Sequence, residues 1–334
     1  MTSLRGIDIT HPEFEGRAKW GYNAADGSAD KDVNSHGTHV AGTIGSKSYG
    51  VAKKVNLFAV KVLGDDGSGT SFDVVEGIEY VIQRKKTTLR GTIINMSIGG
   101  GADQLIDDAV QRASQGGVYV VVAAGNEETN ACDTSPARAP RAITVAAINS
   151  QDERAWFSNY GSCVDLFAPG TDVMSTVPGA STAVYSGTSM ASPHVAGILA
   201  VLYSMDKKTF NSVWRGTQKL LEFTSKNRVI DALGSPNRLA YFNITNVAET
   251  SFPKKPPTSA AVKSTNGTLV GGKMVALKNN NSTSTRGTPP VASTGALVGY
   301  GVGMFIIVVA AILVIIVRKN KTQDETRTAL VQSQ

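Results

Sequence analysis

Hydrophobic and polar positions repeat with two different periods through residues 1–243. Short apolar runs bounded by turn residues predict buried strands, and apolar positions three to four residues apart predict helices. Because the two patterns alternate, the sequence predicts an α/β domain with a mainly parallel sheet covered by helices. The predicted strands are 55–63, 91–98, 118–124, 142–148 and 164–168, and the predicted helices are 71–85, 102–114 and 189–204.

The composition changes after residue 243. Residues 245–294 are rich in Ser, Thr, Pro, Asn and Lys and have few large apolar groups, so they cannot pack a core and are predicted to be a flexible stalk. Sequons at Asn243, Asn266, Asn280 and Asn281 suit a glycosylated stalk outside the cytosol. Another sequon, at Asn95, lies in a predicted strand and is expected to stay unmodified.

A long uncharged segment follows the predicted stalk. Its 21 residues, 297–317, would span about 32 Å as a helix, close to the ~30 Å hydrocarbon core of a bilayer. A buried core helix is the alternative, but neither flank of the segment could bury it. The basic residues Arg318, Lys319 and Lys321 come next, so the tail is predicted to be cytoplasmic and the domain extracellular or lumenal.

These patterns predict a single-pass type I membrane protein of the secretory pathway, vacuole or cell surface. Its predicted parts are a domain at 1–243, a stalk at 244–296, a transmembrane helix at 297–317 and a cytoplasmic tail at 318–334. The formal net charge of +6 lies in the tail, because residues from Ser251 onward carry ten Lys or Arg and two Asp or Glu, or +8, which leaves −2 for the rest. A nearly neutral domain does not indicate a nucleic-acid partner.

Three polar motifs in the domain carry the parts of a nucleophilic site. Ser189 lies in a glycine-rich turn at the start of a predicted helix, where the helix N-terminus favours developing negative charge, although a Gly-x-Ser turn alone is also typical of a helix cap. His36 could remove the serine proton near neutral pH, and the amide of Asn126 could donate to an oxyanion. The motifs are GTSMASPHVAG at 187–197, NSHGTHVAGTI at 34–44 and VVAAGN at 121–126.

The order of these motifs resembles that of the subtilisin-like serine proteases, and most closely that of their proteinase K-type branch. The resemblance implies a three-layer α/β fold and a serine endopeptidase that works through an acyl-enzyme, with no cofactor for the chemistry and a monomeric catalytic domain. It assigns Ser189 as nucleophile, His36 as general base and Asn126 as oxyanion donor. It extends from about Gly6 to about Asn243 and includes the linking segments 11–17, 49–54, 157–162 and 237–241.

One catalytic residue of the family has no counterpart in this sequence. The family has an aspartate in an Asp-Ser/Thr-Gly turn after a central strand, and the matching positions here hold Leu4 and Arg5. Asp8 comes four residues later and is interpreted as a surface acid rather than a substitute. Residues 1–5 also lack the apolar run of a signal peptide. We therefore expect an upstream segment with the missing strand and aspartate, and the alternative is a catalytically dead relative.

The resemblance also implies where a polypeptide substrate binds. The substrate would add as an extended strand between two glycine-containing edges, and small apolar residues would form the wall of the primary pocket. This wall predicts an apolar or aromatic side chain before the scissile bond, although Glu127 and Glu128 leave a kexin-like preference for paired basic residues open. The edges are Ser68, Gly69 and Thr70 and Ser97, Ile98 and Gly99, and the wall is Ala123, Ala124 and Gly125.

The two cysteines, Cys132 and Cys163, form an even count in a domain predicted to lie outside the cytosol, which favours a disulfide over two free thiols. The resemblance implies that they pair. His36 and His39 have the spacing of a metal-binding pair, but no acid follows at zinc spacing. The resemblance instead implies a structural calcium held by the Asp165 carboxylate and the Pro140 and Ala142 carbonyls, which are ligands for a hard cation.

The sequence as a whole predicts a membrane-anchored serine endopeptidase that hydrolyses polypeptides. Two other functions stay open. A chain without the aspartate would be a tethered peptide-binding protein, and an acidic pocket would make the chain a processing protease for paired basic sites.

Overall fold

The computed structural model describes residues 6–25, 27–88 and 91–242, together with the backbone of 312–316. By internal contacts the chain divides into one unit of 1–251 and 306–334 and a second of 252–305. The predicted stalk, most of the predicted membrane span, the cytoplasmic tail and the Leu4 and Arg5 positions lie outside the described residues.

The described residues form the alternating helices and strands that the hydrophobic pattern predicts. The main helices are α1 (His36–Gly45), α2 (Ser71–Thr88), α3 (Gln104–Gln115), α4 (Thr188–Met205), α5 (Lys207–Phe210) and α6 (Val213–Glu222). The strands are β1 (Ala18–Asn23), β2 (Asn56–Lys61), β3 (Thr92–Met96), β4 (Gly100–Gly101), β5 (Val118–Ala123), β6 (Thr134–Ser135), β7 (Ile143–Ile148), β8 (Leu166–Pro169), β9 (Val173–Val177), β10 (Ser181–Tyr185), β11 (Ser225–Lys226), β12 (Arg238–Leu239) and β13 (Ile312–Ile316).

The main sheet has the strand order β1-β2-β13-β3-β5-β7-β8-β12-β11 within the described part of the chain. The neighbouring pairs β1–β2, β3–β5, β5–β7 and β7–β8 are parallel. All residues of β3, β5 and β7 are buried, which is the state expected of central parallel strands covered by helices on both faces. The α/β fold predicted from the sequence is thus confirmed, with element boundaries shifted by a few residues.

One strand of the sheet comes from the far end of the chain. Ile312–Ile316 lies between β2 and β3 and pairs antiparallel with both. These five residues belong to the segment predicted to be a transmembrane helix, and here their backbone is extended rather than helical. An uninterrupted aliphatic run suits the centre of a sheet as well as a bilayer, because both exclude water and neither accepts charge. Within the described residues, no helix has the length and apolar character needed to cross a bilayer.

Helices α1 and α4 are the most deeply buried helices next to the sheet. Nine of the ten residues of α1 are buried, and fourteen of the eighteen in α4. A Cβ atom added to Gly197 of α4 would lie 2.6 Å from Val51 Cβ, in the segment after α1, and 3.4 Å from the Ile44 carbonyl at the end of α1, so glycine permits the close approach of α4 to this segment. Nearer the two N-termini, the charge of His194 acts on His39. Because residue numbers rise together along both helices, α1 and α4 run in the same direction and their N-termini lie at the same end.

Candidate active site

Ser189 is the second residue of α4, directly after the N-cap Gly187 and Thr188. Its side chain is almost fully buried. A hydroxyl in the first turn of a helix faces free backbone N–H groups and the positive end of the helix dipole, which favour negative charge nearby. The structure therefore places the predicted nucleophile where an oxyanion would be stabilised.

Pro193 creates a gap in the hydrogen bonding of this helix. Proline has no N–H, so the carbonyl of Ser189, four residues earlier, has no helical donor. The hydroxyl of Ser97 donates to that carbonyl at 2.8 Å. Ser97 belongs to one of the predicted substrate edges, and its buried side chain holds the backbone of Ser189. A proline four residues after the candidate nucleophile was the sequence signal for such a partner.

A buried polar group extends this support beneath the helix. The hydroxyls of Ser97 and Ser192 lie 3.0 Å apart, and the amide of Asn95 contacts the Ser192 hydroxyl at 3.1 Å. All three side chains are fully buried. Asn95 is thus inaccessible in the folded domain, which agrees with the expectation that its sequon stays unmodified.

His36 begins α1, the helix that runs parallel to α4, so the candidate base and the candidate nucleophile lie at the same end of the two helices. The buried carboxylate of Asp32 caps this end of α1. It accepts from the backbone N–H groups of Asn34 and Ser35 and from both the N–H and the hydroxyl of Thr38. Burial raises the pKa of Asp32, while these hydrogen bonds act in the opposite direction.

His39 is fully buried one turn further along α1. Its Nε2 atom lies 2.9 Å from the Val173 carbonyl and 3.1 Å from the Ala183 carbonyl, and its ring stacks on Tyr185 with centroids 4.4 Å apart. The histidine thereby joins α1 to the β9–β10 hairpin. Burial lowers the pKa of His39 to about 4, although the two carbonyls favour the protonated ring. These contacts give His39 a structural role.

Asn126 follows β5 and reaches the first turn of α4. Its Oδ1 atom accepts from the backbone N–H of Thr188 at 2.8 Å and from the Thr188 hydroxyl at 2.9 Å. Since both lone pairs of Oδ1 are used, the NH2 group is the end of the amide available to an incoming oxyanion. The sequence does not predict a role for Thr188, because nothing in its position along the chain shows that it contacts Asn126.

A groove of about 250 Å³ lies between the two predicted substrate edges. Ser68, Gly69 and Thr70 line one side, and Ile98 and Gly99 line the other. The apolar side chains in its lining are Leu63, Val74, Ile98 and Ile106. The predicted pocket residues Ala123, Ala124 and Gly125 are buried at the carboxyl end of β5, and the Gly125 N–H donates to the Thr188 hydroxyl at 3.2 Å.

Asp8 differs from the exposed acid expected from the sequence. It is half-buried, and its carboxylate accepts from the N–H and hydroxyl of Thr10 and from the Gly179 N–H. Burial opposes its ionisation, but these hydrogen bonds hold its pKa below the usual value. The carboxylate therefore links the N-terminal segment to the turn of the β9–β10 hairpin.

Cys132 and Cys163 form a disulfide with a Cα–Cα distance of 5.3 Å, as predicted. The predicted calcium ligand Asp165 lies next to β7, where its carboxylate accepts from the Thr144 N–H at 2.8 Å. Burial raises the pKa of Asp165 to about 6, although the Thr144 N–H and the charge of Arg238 lower it. A carboxylate whose charge is poorly compensated suits a nearby cation. The described residues contain no cluster of three or more His, Cys, Asp or Glu that could hold a metal.

Comparisons with known proteins identify a family model, related sequences and a solved structure that are similar to this chain. The family model described as the Subtilase family matches residues 5–241. A subtilisin-like serine protease of Rhodotorula mucilaginosa is 46% identical over 242 residues, which cover 70% of this chain and 70% of that protein. Cerevisin of Saccharomyces cerevisiae is 46% identical over 256 residues, which cover 71% of this chain and 40% of cerevisin. The chain thus matches less than half the length of some of its fungal relatives.

A solved structure is similar as well. It is a cold adapted subtilisin-like serine proteinase that is 45% identical to this chain, with a TM-score of 0.68. The match covers 71% of this chain and 85% of that one.

The link between Ser97 and Pro193 predicts a coupled pair of variants. Ser97→Ala should lower the free energy of unfolding by about 1–3 kcal/mol, because the Ser189 carbonyl loses its donor. Pro193→Ala supplies an N–H that can donate to the same carbonyl, so Ser97→Ala should cost less in the Pro193→Ala background. Urea unfolding of the two single variants and the double variant measures the coupling. Additive effects would contradict this account.

The buried His39 predicts a loss of stability in acid. Its folded pKa of about 4 lies below the ordinary 6.5, so the unfolded chain binds the proton first as the pH falls. The contribution of His39 to the free energy of unfolding is therefore present above pH 6.5 and is lost as the pH falls from 6.5 to 4. The Tm difference between the wild type and His39→Gln should shrink from pH 7 to pH 4.5, while Asp32 and Asp165 titrate in both proteins. A constant difference would contradict the low pKa.

Proposed function

The chain belongs to the subtilase family, and from this premise we propose that its domain is a serine endopeptidase that cleaves polypeptides through an acyl-enzyme on Ser189. The observation that carries the proposal is the packing of α1 against α4, in which Ile44 lies near Gly197 and His39 near His194, so that the N-termini with His36 and Ser189 share one end. The Thr188 contact brings Asn126 to the same helix turn.

The residues support a two-step hydrolysis. The Ser189 oxygen attacks the carbonyl carbon of the scissile peptide, and its proton passes to His36. The oxygen of the tetrahedral intermediate accepts from the Asn126 NH2 group and lies at the positive end of α4. When the C–N bond breaks, His36 returns the proton to the leaving amine. Water then attacks the acyl-enzyme with His36 as base, which releases the acid and restores Ser189.

We expect the wild type to react with a fluorophosphonate at Ser189, and Ser189→Ala to stay unlabelled. In the family the aspartate orients the base, and in subtilisin its loss alone costs about 3 × 10⁴ in turnover. The double variant Leu4→Asp/Arg5→Ser restores the Asp-Ser-Gly turn before Ile7 and should label faster than the wild type. If Ser189 is unlabelled in both chains but the domain binds peptides, the protein is a tethered peptide-binding protein instead.

The specificity proposed for the primary pocket is apolar or aromatic, because small apolar residues form the end of β5. A panel of peptide amides that differ only in the residue before the cut tests it. Phe and Leu should be cleaved faster than Arg. A preference for Arg after another basic residue would favour the processing protease, with Glu127 as the first acid to replace.

We propose that residues 297–317 anchor the protein in a membrane, with the domain outside the cytosol, in a helical state that replaces the sheet pairing of 312–316. Support comes from the sequence, since an uncharged run of 21 residues is far longer than the five-residue strand at 312–316 needs, and basic residues follow it directly. The full chain should stay in the membrane pellet after alkaline extraction, and a chain ending at Ala296 should be released. A full chain in the supernatant would contradict the anchor.

A structural calcium beside Asp165, with the Pro140 and Ala142 carbonyls, is proposed to stabilise the domain. Ligand binding to the folded state alone raises Tm, so calcium should raise the Tm of the wild type. Asp165→Asn should abolish this increase, and the matched control Asp133→Asn, an exposed carboxylate, should keep it. An equal increase in all three proteins would place calcium elsewhere.

A further inference from the structure

Asn159 is a fully buried amide beneath the loop that carries Asn126. Its Oδ1 atom accepts from the N–H groups of Glu127 and Thr129, both at 3.0 Å. Its Nδ2 group donates to the Ala124 carbonyl at 3.0 Å and to Glu127 Oε2 at 2.9 Å. These contacts use both lone pairs and both hydrogens of the amide, so the orientation of Asn159 is fixed and the loop from 124 to 129 is held at four points.

The same contacts reach the candidate oxyanion donor. Glu127 Oε2, held by Asn159, accepts from the backbone N–H of Asn126 at 2.9 Å. At the other end of Asn126, Thr188 holds Oδ1. The backbone of Asn126 is thus fixed through Glu127 and Asn159, and its side chain is fixed through Thr188. A small shift in the backbone would move the NH2 group away from the oxyanion.

Asn159 also determines which residue can form the pocket wall. Gly125 has φ +106°, which side chains rarely adopt, and a Cβ atom there would lie 2.1 Å from Asn159 Nδ2. The backbone N–H of Asn159 donates to the Gly125 carbonyl at 3.1 Å. The amide therefore occupies the space that a side chain at position 125 would need, and it holds the wall and the Asn126 backbone together.

We propose that Asn159 is a positioning residue for peptide hydrolysis, which sets the placement of the Asn126 donor and the shape of the primary pocket through one amide. Asn159 does not contact substrate in this account. The inference rests on the proposed function, and it adds that turnover and selectivity before the scissile bond change together when this amide is altered.

The first test is Asn159→Ala, with Asn237→Ala as the matched control. Asn237 holds Val229 by two hydrogen bonds of 2.9 and 2.7 Å, and these contacts lie outside the 124–129 loop. Asn159→Ala should lower kcat for a Phe peptide about 10- to 100-fold with a smaller change in KM, the range expected when a reacting group is misplaced. It should also reduce the preference for Phe over Ala before the cut. Asn237→Ala should lower Tm while keeping kcat and this preference.

A double-mutant cycle tests the Glu127 link. Glu127→Ala removes the carboxylate oxygen that accepts from both the Asn159 amide and the Asn126 N–H, so it should lower kcat. Because both side chains act through this one link, Asn159→Ala/Glu127→Ala should lower kcat by less than the product of the two single effects. Fully multiplicative effects would contradict positioning through Glu127.

A binding measurement separates this proposal from the proposed function. A product peptide that ends in Phe places its carboxylate at the oxyanion site and its ring in the pocket without any bond cleavage. Calorimetry should show tighter binding of the Phe product than of the Ala product to Ser189→Ala, and a reduced difference in Ser189→Ala/Asn159→Ala. If the wild type fails to label but this difference falls, the endopeptidase proposal fails, while the part of the inference that assigns the shape of the primary pocket to Asn159 stands. The inference about Asn159 would be overturned if Phe and Ala products were discriminated equally with and without Asn159, or if the kcat of Asn159→Ala lay within twofold of the wild type.

Discussion

Close packing of α1 against α4 is the contact on which the rest of the site depends. The two helices are buried almost along their full lengths, and the missing side chain of Gly197 lets α4 approach Val51 and the end of α1. Buried helices cannot shift freely, because neighbouring atoms already fill the space at the density of an organic crystal. The helix N-termini that carry His36 and Ser189 are therefore fixed relative to each other by the core rather than by the loops around them.

The site also depends on backbone groups that find their partners outside regular structure. Pro193 leaves the Ser189 carbonyl without a helical donor, and Ser97 supplies one. The loop after β5 does not pair with a neighbouring strand. The Asn159 side chain, from a distant part of the chain, forms hydrogen bonds with the backbone N–H and C=O groups of this loop. Buried polar groups that lack a partner cost about 1–3 kcal/mol each, so these side chains stabilise the fold and the geometry of the site at once. A substitution at either position changes both properties.

The centre of the sheet between β2 and β3 shows how one sequence pattern suits two environments. Ile312–Ile316 pairs there in antiparallel orientation, although the surrounding strands are parallel to one another. Both a central strand and a membrane helix require an aliphatic run without charge. The strand and the membrane helix differ in their backbone hydrogen bonds. A strand forms them with neighbouring strands, whereas a helix forms them between its own residues. Sheet pairing and membrane insertion of these residues therefore exclude each other.

The sequence alone determined the family resemblance, the α/β alternation, the three candidate catalytic residues and the cysteine pair, because each is written in residue type and spacing along the chain. The order of the strands, the common direction of α1 and α4, and the roles of Ser97, Thr188 and Asn159 were decided only by the tertiary structure. These side chains act on backbone groups between 30 and 92 residues away in sequence. Such contacts leave no repeating pattern in the sequence, because they form wherever folding buries a backbone donor or acceptor that lacks a partner.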